Sequence, residues 1–265
     1  NASFLSVSTD SRSVQSDQLF IALRGDRFDG HDFISSVAAQ GAVAAMVDRH
    51  WAAGNPVPLP LLVVEDTRLG LGKLAAVWRA RFEMPLIGVT GSNGKTTVKE
   101  MCAAILRAQA RLDGFDPDLA VLATKGNLNN DIGLPLMLLR MSGNHRAAVI
   151  EMGMNRPGEI GYLTQLARPT VALVTNAQRA HLQGMGSVNE VAREKGAIYD
   201  GLAADGMAVI NADDAFASYW KAINAGRRTL TFGLSAGADV TAQCTINGFV
   251  SDVALTSPQG DTNFR

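Results

Sequence analysis

Gly88-Val89-Thr90-Gly91-Ser92-Asn93-Gly94-Lys95-Thr96-Thr97 decides how this chain is read. It follows the apolar run Leu86 to Thr90, which has strand character, and opens a helical pattern in which Val98, Met101, Cys102, Ile105 and Leu106 share one face at 3.6-residue spacing. A Gly-rich turn between a strand and an amphipathic helix is the setting of a phosphate-binding loop. Gly91 and Gly94 let backbone N–H groups turn inward, and the helix N-terminus adds partial positive charge. Lys95 is placed to neutralise β- and γ-phosphates, and the Thr96 hydroxyl to ligate magnesium. The general motif wants glycine at position 89, where this chain has valine.

Working outward, strands are expected at Ala120 to Ala123, Ala147 to Ile150, Val171 to Thr175 and Met207 to Ile210, with helical patterns between several of them. Such alternation implies a parallel sheet covered on both faces. Arg228 to Phe264 carries short alternating runs, with turns at Asn247-Gly248 and Pro258-Gln259-Gly260, and reads as an antiparallel hairpin or meander. Upstream, Phe20 to Leu23, Ala42 to Val47 and Leu61 to Val64 have strand character. Helical patterns run from Asp32 to Gln40 and from Thr67 to Phe82, and Trp51 to Pro60 reads as a loop. Met84-Pro85 breaks the pattern, so the domains are expected at 1–83 and 84–265, both α/β.

The 265 residues suffice for two domains of ordinary size. A composition 47% hydrophobic and 18% charged fits a globular protein with a sizeable core. A net charge of -1 gives no electrostatic reason to expect nucleic acid or an anionic membrane as partner. No apolar run reaches the ~20 residues of a membrane span, and Asn1 to Asp10 lacks the regions of a signal peptide. Cys102 and Cys244 have no metal-ligand spacing, consistent with reduced thiols in a cytoplasmic protein.

In an open parallel sheet, ligands sit beyond the carboxyl ends of the strands. Those ends deliver Glu151 after Ala147 to Ile150, Asn176 after Val171 to Thr175 with His181 a few residues on, and Asn211, Asp213 and Asp214 after Met207 to Ile210. A carboxylate directly after a strand and near a phosphate loop suits a nucleotide-bound magnesium. Taken alone, His181 and Lys195 read as ordinary loop and helix-surface residues. The residues by themselves therefore lead to an ATP- or GTP-dependent enzyme with an unknown acceptor.

A resemblance carries the reading further. The phosphate loop, together with Gly126-Asn127-Leu128-Asn129-Asn130-Asp131-Ile132-Gly133-Leu134-Pro135, resembles the MurF branch of the Mur ligases. Further matches follow in order: Ile150-Glu151-Met152-Gly153 with Pro157-Gly158-Glu159-Ile160, Thr175-Asn176 with Ala180-His181-Leu182, Glu194-Lys195-Gly196, and Asn211-Ala212-Asp213-Asp214. Ser8-Thr9-Asp10-Ser11-Arg12 and Phe28-Asp29-Gly30-His31-Asp32-Phe33 look like the segments that hold a UDP-sugar. Two departures stand out: Ala197, where the family often has Glu, and Gln178-Arg179, in place of a simpler Ala-rich run.

The resemblance implies an ATP-dependent cytoplasmic ligase, with no nucleic acid or membrane as partner, acting as a monomer and joining D-alanyl-D-alanine to UDP-N-acetylmuramoyl-tripeptide through an acyl phosphate. It implies a UDP-MurNAc-peptide domain at 1–83, a central ATP domain from 84, and a third domain that these residues do not include, so that the 265 residues alone would bind without turning over. The implied ATP site comprises Gly91, Ser92, Asn93, Gly94, Lys95, Thr96, Thr97 and Asn211. Two Mg2+ ions fall to Thr96, Glu151, His181 and a Lys195 carbamylated by CO2; Lys95, Glu151, His181 and Lys195 form the catalytic set. Ser11, Arg12, His31, Asn127, Asn129 and Asn130 are implied for the UDP-muramoyl substrate. Siblings acting earlier in the pathway, folylpolyglutamate synthase and a non-catalytic nucleotide or UDP-sugar module remain as alternatives.

Overall fold

The computed structural model describes residues 3–265 apart from 27, 58, 180, 181, 236 and 249. The chain divides into two compact units, one of residues 1–83 with 131–142, the other of residues 84–130 with 143–265.

The first unit is built on a parallel four-stranded sheet. Its strands are β1 (Ser6–Ser8), β2 (Gln18–Ile21), β5 (Ala44–Asp48) and β6 (Leu61–Val64), in the order β1-β2-β5-β6. A two-residue hairpin pairs β3 (Arg24–Gly25) with β4 (Phe28–Asp29). β5 is buried along its whole length, as expected of a central parallel strand covered on both faces. On one face Phe20, Ala45 and Val47 pack with Ile34 and Val37 of the helix Ile34–Ala39. On the other, Leu19, Ile21 and Met46 meet Leu71 of the helix Thr67–Arg79. Asp66 caps that helix by accepting the Leu69 N–H at 2.8 Å.

Residues 131–142, expected with the second domain, pack in the first unit. Ile132, Leu136 and Leu139 complete its second core face, Arg68 pairs with Asp131, and the Trp78 indole donates to Met141 O at 3.0 Å. The reason is apolar area. Helix Gly133–Leu138 is buried at Gly133, Leu134, Pro135, Met137 and Leu138, and the face of helix Thr67–Arg79 supplies a partner for it.

The second unit holds a six-stranded, wholly parallel sheet. Its strands are β7 (Leu86–Thr90), β8 (Val121–Ala123), β9 (Ala147–Glu151), β10 (Val171–Val174), β11 (Met207–Asn211) and β12 (Arg228–Phe232), ordered β12-β11-β10-β7-β9-β8. Gly88 lies between Ala172 and Ile150 across the sheet. β7 is thus the strand from which the order runs outward in both directions, and the crevice beyond its carboxyl end is where such sheets take ligands. β13 (Thr241–Asn247), β14 (Val250–Ser257) and β15 (Gly260–Phe264) form a separate antiparallel meander.

Two expectations are corrected here. Arg228–Phe232 does not join the meander; it pairs parallel with β11, because its alternation suits a sheet edge as well as a hairpin. On the helix Lys95–Leu112, Val98, Cys102 and Leu106 do face the core with Ala103 and Ala110, but Met101 and Ile105 are 60% and 68% exposed. The buried stripe is narrower than the apolar one. No helix among the described residues is long and apolar enough to cross a membrane.

Candidate functional site

The turn after β7 is shaped by two glycines. Gly94 sits at φ +77 as the N-cap of helix Lys95–Leu112, a conformation that side-chain-bearing residues avoid. Gly91 sits at φ +154, and a Cβ placed there would lie 1.8 Å from Thr175 Oγ1. That contact exists because the turn is laced to the segment leaving β10. Thr175 Oγ1 donates to Asn93 O at 2.7 Å, Ser92 N–H donates to Asn176 O at 2.9 Å, and Asn93 N–H donates to Asn176 Oδ1 at 3.0 Å. Gln178 adds a side-chain bond to Asn93 at 2.8 Å, and its N–H donates to Ser92 Oγ at 2.9 Å. Lys95 folds back to donate to Gly91 O at 2.8 Å.

β9 delivers Glu151 beside this turn. Its carboxylate accepts from Thr96 Oγ1 at 2.9 Å and from Asn129 Nδ2 at 2.8 Å, and its N–H donates to Thr124 Oγ1 at 2.9 Å. Thr124 is anchored in turn, since the buried Lys99 donates to its carbonyl at 3.0 Å. Neither Lys99 nor Thr124 belongs to a recognisable motif, so the sequence offered no signal for them. Thr124→Val should destabilise the protein by about 1–2 kcal/mol, because it strands the buried Glu151 N–H without an acceptor. Urea denaturation of the variant measures this.

A cleft of about 440 Å³ gathers these groups. Ser92 to Thr97 form one wall; Asn129, Asn130 and Glu151 form another; Gly153, Met154, Asn155 and Glu159 a third; and Lys195 closes it from the helix Val188–Gly196. Lys195 is only 1% exposed. Burial pushes its ammonium down to about 7, Lys95 pushes the same way, and Glu194 opposes both. Burial also holds Lys95 below the ordinary lysine value, against the attraction of Glu151.

Among the described residues no cluster of three or more His, Cys, Asp and Glu side chains could hold a metal ion. The donor set in the cleft is oxygen-based, Thr96 hydroxyl and Glu151 carboxylate, and it fits a magnesium that takes its remaining ligands from phosphate and water.

Other expected residues lie elsewhere. His181 is outside the described residues. Asn127 does not line the cleft, and its carbonyl accepts the Asn129 N–H at 2.8 Å. Asn211 does not line it either: its amide donates to Thr175 O at 2.8 Å and accepts from Asp213 N–H, which bridges β11 to the segment that grips the phosphate loop. Asp214 reinforces the bridge by accepting the Ala177 N–H at 2.8 Å.

In the first unit, Ser11 and Arg12 line a hollow of about 460 Å³ with Phe20, Phe28 and Phe33. Arg12 is held by both oxygens of Asp10, and its guanidinium keeps that carboxyl down at about 2. His31 is not on this hollow. Its ring is buried, with Nδ1 2.5 Å from Asp29 Oδ1 and Nε2 accepting the Asp48 N–H at 3.1 Å. The Asp48 N–H makes Nε2 an acceptor, which leaves Nδ1–H to donate to Asp29 Oδ1.

Residues 89–264 match the family model described as the Mur ligase middle domain, and residues 4–79 match that of the Mur ligase family, catalytic domain. UDP-N-acetylmuramoyl-tripeptide--D-alanyl-D-alanine ligase of Haemophilus influenzae is 42% identical over 96% of this chain and 54% of its own length. The crystal structure of MurF from Acinetobacter baumannii superposes with a TM-score of 0.87 at 36% identity, covering 98% of this chain and 54% of that one. MurF from Thermotoga maritima in complex with ADP gives a TM-score of 0.81 at 29% identity, over 97% and 57%. The chain thus spans about half the length of the curated relatives it matches. It belongs to the Mur ligase family.

Proposed function

We propose that the full-length protein joins D-alanyl-D-alanine to UDP-N-acetylmuramoyl-tripeptide at the expense of ATP, as a cytoplasmic monomer in cell-wall precursor synthesis. The observation that carries this reading is the meeting of a phosphate loop, an acid, a pair of asparagines and a buried lysine in one cleft. A carboxylate does not accept an amine directly, because oxide is a very poor leaving group. Transfer of the ATP γ-phosphoryl group to the peptide carboxylate gives an acyl phosphate. The dipeptide amine then attacks the acyl carbon and phosphate departs.

The first step brings two anions together, so charge neutralisation and positioning dominate. Gly91 to Thr97 hold the triphosphate through backbone N–H groups, and Lys95 supplies a cation at its β- and γ-phosphates. Asn129 and Asn130 face the acyl substrate from the opposite wall. Two magnesium ions would neutralise phosphate charge, one held by Thr96 and Glu151, the other by His181 and a carbamylated Lys195. The low pKa of Lys195 supports the last assignment: carbamylation needs the neutral amine, and it replaces a cation that would repel a metal with an anion that attracts one. Asn211 acts near the adenine through the β10 exit segment rather than from the cleft wall. In the first unit, Ser11 and Arg12 bind the UDP end, with His31 ordering the segment from behind.

The 265 residues alone are proposed to bind nucleotide and UDP-sugar without ligating them. Calorimetry on this chain should therefore detect both ligands, and phosphate release should stay at background. The full-length enzyme should release phosphate with D-alanyl-D-alanine at least about 100-fold faster than with single amino acids, because a site built to pair a second amide is left with unmet polar groups. Equal rates with D-alanine alone would refute the substrate assignment.

A further inference from the structure

Glu194 sits next to Lys195 in sequence, yet it serves a different part of the cleft. Lys195 lines the cavity, whereas the Glu194 carboxylate is turned away into the fold and is 9% exposed. One oxygen accepts the Gly158 N–H and the other the Ile160 N–H, both at 2.8 Å and across 36 and 34 residues of chain. These N–H groups open the helix Glu159–Ala167, whose N-cap is Gly158 at φ +88 and has no side chain to cap with. An unsatisfied, partially positive helix end is therefore capped by a carboxylate borrowed from another helix.

The capped end is also the end of the third wall of the cleft. The segment that carries this wall follows Glu151 and leads through Gly158 into the helix. Its start is tied to the phosphate-loop strand, since Met152 N–H donates to Val89 O at 2.8 Å and Thr90 Oγ1 donates to Met152 O at 2.9 Å. Its middle is tied to the asparagine loop by Gly153 N–H donating to Asn129 O at 2.8 Å. Glu159 gathers its tip, accepting from the Asn155 N–H at 2.6 Å and the Arg156 N–H at 3.2 Å. Glu194 is the tie at the far end, and it joins this wall to the helix that carries Lys195.

We infer that Glu194 is a positioning residue: by clamping Gly158 and Ile160 it fixes the Gly153–Asn155 wall and Lys195 relative to each other, so that a nucleotide and its divalent cation meet a preformed cleft. This rests on reading the cleft as a magnesium-nucleotide site. Glu159 does not share this role, because its carboxylate already accepts from Asn155 and Arg156.

The test uses the 265-residue chain, with Glu194→Gln and Glu194→Ala, at a temperature where circular dichroism shows each variant folded. Hydrogen exchange is followed over residues 152–160, and calorimetry measures binding of a non-hydrolysable ATP analogue with and without magnesium. Loss of the cap should raise exchange in that segment roughly tenfold, with the sheet unaffected. Affinity for the analogue with magnesium should fall roughly tenfold, while affinity without magnesium stays within about twofold, since the phosphate loop is untouched. Glu194→Gln keeps one acceptor oxygen and should recover part of both effects; being isosteric, it carries the test if the alanine variant does not fold. Unchanged exchange at 152–160 overturns the inference. So does raised exchange with undiminished magnesium-nucleotide affinity, which would leave Glu194 a helix cap and nothing more, or a loss of protection spread over the whole unit. A wild-type chain that binds no analogue would sink the reading of the cleft instead, a result kept separate because the exchange arm needs no ligand.

Discussion

Lys195→Met is expected to stabilise the protein while reducing ligation by the full-length enzyme about 10²–10³-fold, the range seen when one electrostatic group is removed from a reaction site. Stability should rise because the native state buries an ammonium that water would solvate. Methionine fills a similar volume without a charge, so the cost of burying the ammonium is removed. The sign with pH follows from the direction of the shift. The folded-state value is about 7, against 10.5 for a free lysine, so between those values the unfolded chain binds more protons than the native one. Stability of the wild type therefore climbs with pH across that window, as far as this group contributes. The advantage of the methionine variant should be largest below pH 7 and should vanish near pH 10. Thermal denaturation of both proteins at pH 6 and pH 9.5 measures the difference; a gap that widens at high pH would contradict the burial argument.

The same lysine links stability to chemistry. At neutral pH a substantial share of its amine is uncharged, the form that reacts with CO2, and Lys95 helps keep it so. An exposed lysine would hold its proton and offer almost no nucleophile at the same pH. Lys195→Met that retained full ligation, with or without bicarbonate, would remove both the carbamate and the metal role assigned to it. Removal of Lys95 would have a further consequence, an upward move of the Lys195 pKa, because a like charge is lost.

What the sequence made legible was local. The strand, turn and helix around Gly94 form one continuous stretch, and the glycine spacing has one good conformational solution, so Leu86–Thr90 and Lys95–Leu112 could be read directly. Glu151 was legible for the same reason, as the first polar residue after an apolar strand. What stayed hidden depends on partners chosen across the chain. Nothing in Ile132 to Leu139 says that this apolar run completes the core of the first unit rather than the second. Arg228–Phe232 alternates as a hairpin strand would, and only the free edge of β11 makes it parallel. Met101 and Ile105 obey helical periodicity, yet the sheet covers a face narrower than the apolar stripe. His31 is implied for the UDP end by resemblance alone, and nothing in the sequence says that Asp29 and Asp48 enclose its ring. Glu194 looks like a helix-surface acid until the end of another helix, 34 residues away, is found against it.

Glu151→Gln should cut the apparent magnesium affinity of the nucleotide-bound protein about 100-fold or more, and full-length ligation with it, while leaving the fold intact. Even partners that only orient a metal ligand are worth about 10–100-fold in affinity, so a ligand itself should exceed that. The choice of glutamine matters because two donors converge on this carboxylate. With alanine, both Thr96 Oγ1 and Asn129 Nδ2 would lose their acceptor, and any loss of activity would be confused with collapse of the walls. Glutamine can keep both contacts: its carbonyl oxygen accepts from Asn129 Nδ2, and its amide donates to the Thr96 hydroxyl, which turns round to accept. The backbone bond to Thr124 is unaffected by the side chain. Charge is then the main thing removed, and a magnesium ion needs that charge more than it needs the shape. Isothermal titration of magnesium into the variant bound to a non-hydrolysable ATP analogue, beside the wild type, reads the effect. Raising magnesium should restore part of the ligation rate of the variant in proportion to the weakened affinity. Unchanged magnesium affinity would place the metal away from Glu151 and leave that carboxylate as the brace between Thr96 and Asn129.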